Sequence, residues 1–194
     1  MPWKLAAAGV TTMAACLVAA QVKLGEPAPD VPLHDPPGRS LKDLHGRKVV
    51  LLGIGTDFAG LSLAAHELRQ RGIEVARANL PGAADDFWLV DEDGVVRGVD
   101  ALPQRAEGIV EFVNEWELGK KSFEWGCKNC HGQNGCETYY YGVKSLGGIG
   151  NRLSRDKIQS TLNATMIAPG RYSIRCFHFR ARELKALVTY VAGL

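Results

Sequence analysis

The pentapeptide Cys127-Lys128-Asn129-Cys130-His131 constrains this chain more than any other stretch. Two cysteines separated by two residues and followed directly by histidine form the attachment signature for c-type haem. The chemistry sets the spacing. Two thiols add to the two vinyl groups on one edge of a porphyrin, and the adjacent imidazole then lies under the iron as proximal ligand. A zinc site needs a second Cys or His pair at ligand spacing. Only Cys136, Cys176 and His178 follow, in no paired spacing. A thioredoxin-like dithiol has no need of the histidine, and no strand pattern precedes this motif. The expectation is one covalent haem c, bound through Cys127, Cys130 and His131.

The flanking residues extend that expectation. Gly119 and Phe123 stand four apart on one helical face, with Trp116 one turn earlier. Near the C-terminus, Leu184, Leu187, Val188 and Val191 make an apolar stripe beside Tyr190. In Gly119-Lys-Lys-Ser-Phe123, in Cys127 to His131 with Gly132, and in Leu187-Val-Thr-Tyr190, residues 115–194 resemble the class I c-type cytochromes. In that family a helix with a glycine and an aromatic crosses a C-terminal helix ending in an aliphatic-x-x-Tyr pattern. The resemblance implies a small all-α mono-haem domain. Its glycine, lacking a Cβ, lets the two helix backbones approach closely.

The resemblance also implies a sixth iron ligand from the loop before the last helix, usually a methionine. Met166 is the only methionine beyond the N-terminal segment, and it follows a helical pattern over Arg155–Leu162. Cys176 and His178 are the alternatives. With Cys16 in the N-terminal segment and two cysteines on the haem, Cys136 and Cys176 are left over, and such a pair in an exported protein suggests a disulfide. That bridge would remove Cys176 as a ligand. The family often orients its proximal histidine with a proline carbonyl, but no proline lies between His131 and Pro169, so the partner of the second imidazole nitrogen stays open. Tyr139, Tyr140 and Tyr141 are read as packing residues, or as groups lining a haem edge.

The chain begins with Lys4 and an apolar run from Leu5 to Ala20 that closes on small residues. That is the charge, core and cleavage pattern of a secretory signal over residues 1–20, cut between Ala20 and Gln21. An uncleaved anchor and a lipoprotein box at Met13-Ala-Ala-Cys16 are the alternatives. Export to the periplasm fits the cofactor, because bacterial c-type attachment takes place outside the inner membrane.

Residues 21–114 read as an α/β unit. Val49–Ile54 is a buried strand, Leu61–Gln70 a helix stopped by Gly72, and Ile73–Leu80 a second strand. Two further strands flank a turn at Glu92-Asp93-Gly94, and Ile109, Phe112, Val113 and Trp116 define one face of a closing helix. Leu24-Gly-Glu-Pro-Ala-Pro-Asp30, Gly38-Arg-Ser-Leu41, the Val49–Ile54 strand and Phe87-Trp-Leu-Val-Asp-Glu-Asp-Gly94 resemble the redoxin branch of the thioredoxin fold. A peroxiredoxin carries Thr-x-x-Cys after that strand; here the residues are Thr56-Asp57-Phe58-Ala59, and no cysteine lies between Cys16 and Cys127. Thiol chemistry needs a thiolate, so the expected role is a catalytically silent scaffold or docking module.

The expected fold is thus an α/β thioredoxin-like N-terminal domain over 21–114, followed by a small all-α class I cytochrome c domain over 115–194. Charge separates the halves: 21–114 holds 10 Lys/Arg against 15 Asp/Glu, and 115–194 holds 12 against 6. No nucleic-acid motif accompanies the basic half. A docking face for an acidic redox partner does account for it, with Lys120, Lys121 and Lys128 near the haem edge. The expected function is single-electron transfer between redox proteins, among them membrane respiratory or photosynthetic complexes. The alternatives are a haem enzyme or ligand-binding protein with open, Cys- or His-ligated iron, for example in sulfur-compound oxidation, and a structural haem subunit of a larger redox complex.

Overall fold

The computed structural model describes residues 22–53, 61–80, 86–101, 107–139, 142–167 and 179–194. Its centre is β2 (Val49–Gly53), whose five residues are all buried. Alternation along the strand sends Val50 and Leu52 into one apolar cluster and Val49 and Leu51 into another on the opposite face. A strand covered on both faces reads as an unbroken apolar run, which is why this one lacks polar alternation.

Around β2 lies a five-stranded mixed sheet in the order β1-β3-β2-β4-β5. Helix α1 (Ser62–Gln70) leads to β3 (Glu74–Ala78), which pairs parallel with β2. The short β1 (Leu33–Asp35) pairs antiparallel with β3 at the edge. On the other side, β4 (Asp86–Val90) runs antiparallel to β2 and continues through a turn into β5 (Val96–Ala101). Asp91 shapes that turn, its carboxylate accepting from the Asp93 and Val95 amides at 3.0 and 2.9 Å. Residues Val31, Leu33, Leu41 and Leu44 close one face of the sheet. Helices close the other.

Of these, α2 (Glu107–Gly126) is a single helix of 20 residues. It is followed by the one-turn α3 (Lys128–His131), α4 (Arg155–Ile167) and α5 (Ala181–Ala192). The expected pairing of an α/β domain with a separate small all-α cytochrome domain is therefore corrected. The chain folds as one mixed α/β body of five strands and five α-helices among the described residues. The physical reason is that α2 runs unbroken through residues 114 and 115. Its Ile109, Val113 and Trp116 share one buried cluster with Val50, Leu52 and Leu89 of the sheet. Phe123 of the same helix, Cys127 just beyond it, and Leu187, Tyr190 and Val191 of α5 belong to that same cluster. The two apolar patterns read as separate helices form one continuous stripe.

Helices α2 and α5 meet at Gly119. A Cβ there would overlap the Ala186 carbonyl and stand 2.7 Å from the Tyr190 Cβ, so only glycine admits this crossing. Around it Tyr190 packs at a tilt against Trp116 and Phe123, with ring centroids 5.4 and 5.3 Å apart. Polar contacts reinforce the joint to the sheet. Lys48 at the start of β2 reaches Glu117 of α2 at 2.7 Å, and Arg71 after α1 reaches the same carboxylate at 2.5 Å. Lys48 also lies 5.4 Å from the Trp116 ring centroid.

Two outcomes follow from this joint. Gly119→Ala is expected to destabilise the chain by about 2–3 kcal/mol or more through backbone overlap, read as a lower midpoint in denaturant unfolding. Partial burial raises the Glu117 carboxyl, but the hydrogen bonds and charges of Lys48 and Arg71 outweigh it and hold the carboxyl below its usual range. Its contribution is therefore complete above the ordinary carboxylate range and fades as pH falls through the lowered folded value. Glu117→Gln should cost about 1–2 kcal/mol at neutral pH, and the two stability curves should converge in acid.

Candidate cofactor-attachment site

The motif sits where α2 ends. Cys127 continues the helical hydrogen bonding by donating its amide to the Phe123 carbonyl at 2.8 Å, then departs from helical geometry and becomes the N-cap of α3. Its own carbonyl accepts from both the Cys130 and His131 amides at 3.0 Å. This single turn places residues 127, 130 and 131 at positions i, i+3 and i+4, which share a helical face. Gly132 ends the turn.

The three side chains differ in environment. Cys127 is buried in the cluster that contains Phe123 and Tyr190, while Cys130 is exposed. Burial, then the neighbouring Cys130, pushes the Cys127 thiol up to about 12. Half-buried His131 has its pKa lowered by desolvation, opposed by a hydrogen bond to a backbone carbonyl. That bond runs from Nδ1 to the Lys144 carbonyl at 3.1 Å. A carbonyl can only accept, so the proton sits on Nδ1 and Nε2 carries the free lone pair.

Lys144 was not legible as the partner of His131, because nothing in the sequence of a loop says which carbonyl will face the imidazole. The loop is fixed from behind. The Leu146 amide donates to the Gly135 carbonyl at 2.7 Å, and the Gly148 amide donates to the Leu194 carbonyl at 3.0 Å. Leu194, buried at the end of the chain, thereby holds the residues that orient His131. A Cβ on Gly135 would stand 2.6 Å from the Leu194 Cδ1.

The remaining expected site residues fall as follows. Met166 belongs to the last turn of α4 by its backbone, not to a loop after the helix. Cys176 and His178 lie outside the described residues, as do Cys16 and the rest of the segment 1–21 and the Thr56–Ala59 stretch. Cys136, one end of the expected disulfide, is an exposed thiol 3.5 Å from the Asn134 carbonyl. Tyr139 is exposed and donates its hydroxyl to Glu137; Tyr140 and Tyr141 lie outside the described residues. Lys121 is exposed, whereas Lys120 lies over the Trp116 ring at 5.8 Å from its centroid.

Among the described residues, no group of three or more His, Cys, Asp or Glu side chains could hold a metal ion by itself. No described helix is long and apolar enough to cross a membrane. The donor set does fit a porphyrin held through two thioethers: two thiols and an imidazole share one face of one turn, with the imidazole tautomer that offers Nε2. It fits dithiol exchange poorly, because that chemistry needs a cysteine with a depressed pKa, and burial drives Cys127 the opposite way. The chain matches no protein-family model, and no curated protein matches it.

The asymmetry of the two thiols is measurable. In haem-free protein, iodoacetamide is expected to modify Cys130 and Cys136 at least roughly tenfold faster than Cys127, since reaction requires an accessible thiolate. Peptide mass mapping over a time course checks it, and equal rates would show that Cys127 is not buried.

Proposed function

We propose that the chain is an exported c-type cytochrome that carries single electrons between redox proteins. The observation that carries this reading is the His131 imidazole, held through Nδ1 by the Lys144 carbonyl and set on the same turn as Cys127 and Cys130. A haem attached there would supply a one-electron iron couple, tuned by its axial ligands, burial and nearby hydrogen bonds. Cys127 and Cys130 would hold the porphyrin through thioethers, and His131 would offer Nε2 to the iron. The Lys144 carbonyl fixes the ring plane and increases the basicity of the imidazole.

Met166, in the last turn of α4, is the proposed sixth ligand, with Cys176 and His178 as its competitors. The sheet, in this reading, is a scaffold without thiol chemistry. Residues 1–20 direct the chain to the periplasm, where an acidic redox protein is the proposed partner.

Production in a host with a c-type maturation system tests the core of the proposal. The denatured, washed chain should retain one haem, seen by haem-linked staining and by mass, and should begin at Gln21. Cys127→Ala with Cys130→Ala should abolish covalent haem. Met166→Ala should remove the thioether-to-iron charge-transfer band and lower the potential, because methionine ligation favours reduced iron. Wild-type chain without covalent haem would overturn the assignment; an unchanged spectrum in the Met166 variant would move the sixth ligand to Cys176 or His178.

A further inference from the structure

A groove of about 700 Å³ opens between α1, α2 and the start of α5. Its floor is one stripe of α2, where Asn114, Leu118 and Lys121 follow one another at helical spacing. Arg71 closes one side, and Arg180 and Arg182 close the other. Three carboxylates also line it, and two of them are already committed. Glu117 is held by Arg71 and Lys48, and Glu183 accepts the Arg180 amide at 2.7 Å in the cap of α5. Lys121 and Arg182 have no ion pair among the described residues, and both are exposed. Only Glu67 stands against them uncommitted.

The same stripe of α2 continues one turn beyond Lys121 to Trp125. That indole is 59% exposed, one of the large hydrophobic side chains at the surface. It meets Phe179 edge to face at 5.9 Å, and Phe179 directly precedes Arg180. Surplus cations in a polar trough thus run into an aromatic pair made of exposed Trp125 and half-buried Phe179. Tryptophan and arginine are the residue types that anchor protein interfaces.

We infer that this groove is the docking site for an acidic segment of a partner protein that carries an apolar residue at one end. The carboxylates of such a segment would pair with Lys121, Arg180 and Arg182, and its apolar residue would cover Trp125. Charge complementarity selects the partner, and guanidinium groups suit carboxylates because they bind them in a planar fork. The site differs from a ring of lysines around the attachment turn, since Lys120 is engaged by Trp116 and takes no part. Recognition runs through protein side chains alone, so it stands or falls separately from haem attachment.

Fluorescence anisotropy of a labelled oligo-glutamate peptide ending in leucine, titrated with the purified full chain, tests this. Binding should weaken steeply with added salt, as the Debye length contracts. Lys121→Glu with Arg182→Glu should weaken it roughly tenfold or more at low salt, while the unfolding midpoint holds because neither side chain has a partner to lose. Trp125→Ala should weaken binding of the leucine-ended peptide but not of an oligo-glutamate without leucine. Arg39→Glu, a control on the far side of the sheet, should leave binding intact. Absence of binding, equal loss in the Arg39 variant, or equally tight binding of a single-stranded oligonucleotide would each overturn the proposal.

Discussion

The contact between the backbones of α2 and α5 at Gly119 governs how the rest of the chain can be arranged. Because no side chain intervenes at Gly119, α5 lies deep against α2, and its residues Ala186 to Ala192 are buried without exception. The end of α5 is then carried into the seam between sheet and helices. There the Gly193 carbonyl accepts from Arg97 of β5 at 3.3 Å, and Arg97 is itself fixed by Asp91 at 2.6 Å. Leu194 follows, and its carbonyl positions the loop whose Lys144 carbonyl holds His131. A packing decision at one glycine is thereby transmitted, through fewer than a dozen residues of α5, to the tautomer of the candidate ligand.

Charge acts on the same joint from the other end. Lys48 has a side chain only 14% exposed, and a cation held so far from water is tolerated only with a partner. Glu117 is the nearer partner at 2.7 Å, Glu92 stands at 4.0 Å, and the Trp116 face gives a further favourable surface. Since Lys48 directly precedes β2, Arg71 directly follows α1 and Glu117 belongs to α2, one carboxylate ties three elements together. The specificity of this arrangement matters more than its net energy. A buried pair gains little over apolar packing, but a misplaced α2 would leave Lys48 with only its longer, 4.0 Å contact to Glu92.

Much of the fold was legible because burial writes a period into the chain. The unbroken apolar run at Val49 to Gly53, the helix stopped before Gly72 and the turn at Asp91 to Gly94 all express local rules that tertiary packing did not override. The sharing of one turn by Cys127, Cys130 and His131 was legible for a different reason: positions i, i+3 and i+4 fall on one helical face. The expectation of a small all-α fold over residues 115–194 failed because a stripe of apolar residues does not state what it faces. Ile109 and Val113 join the sheet's cluster, Phe123 meets Tyr190 of α5, and Trp116 touches both Lys48 and Tyr190, yet all lie along one helix and one cluster. The Lys144 carbonyl was invisible for a deeper reason, since every residue has a backbone carbonyl and only the folded loop selects one.

The placement of the two cysteines bears on what the motif can do. A dithiol that exchanges electrons needs one thiol able to ionise near neutral pH and open to its partner. Here the first thiol lies in the apolar cluster and resists ionisation, and the second lies outside it. Burial that disables a nucleophile is no handicap to a thioether, which carries no charge and no ionisable proton. An apolar site for Cys127 then becomes the environment in which a thioether is at least cost, beside a histidine whose own burial favours the neutral, metal-binding form. The same physical effect, desolvation, thus weakens the thiol reading at Cys127 and strengthens the ligand reading at His131.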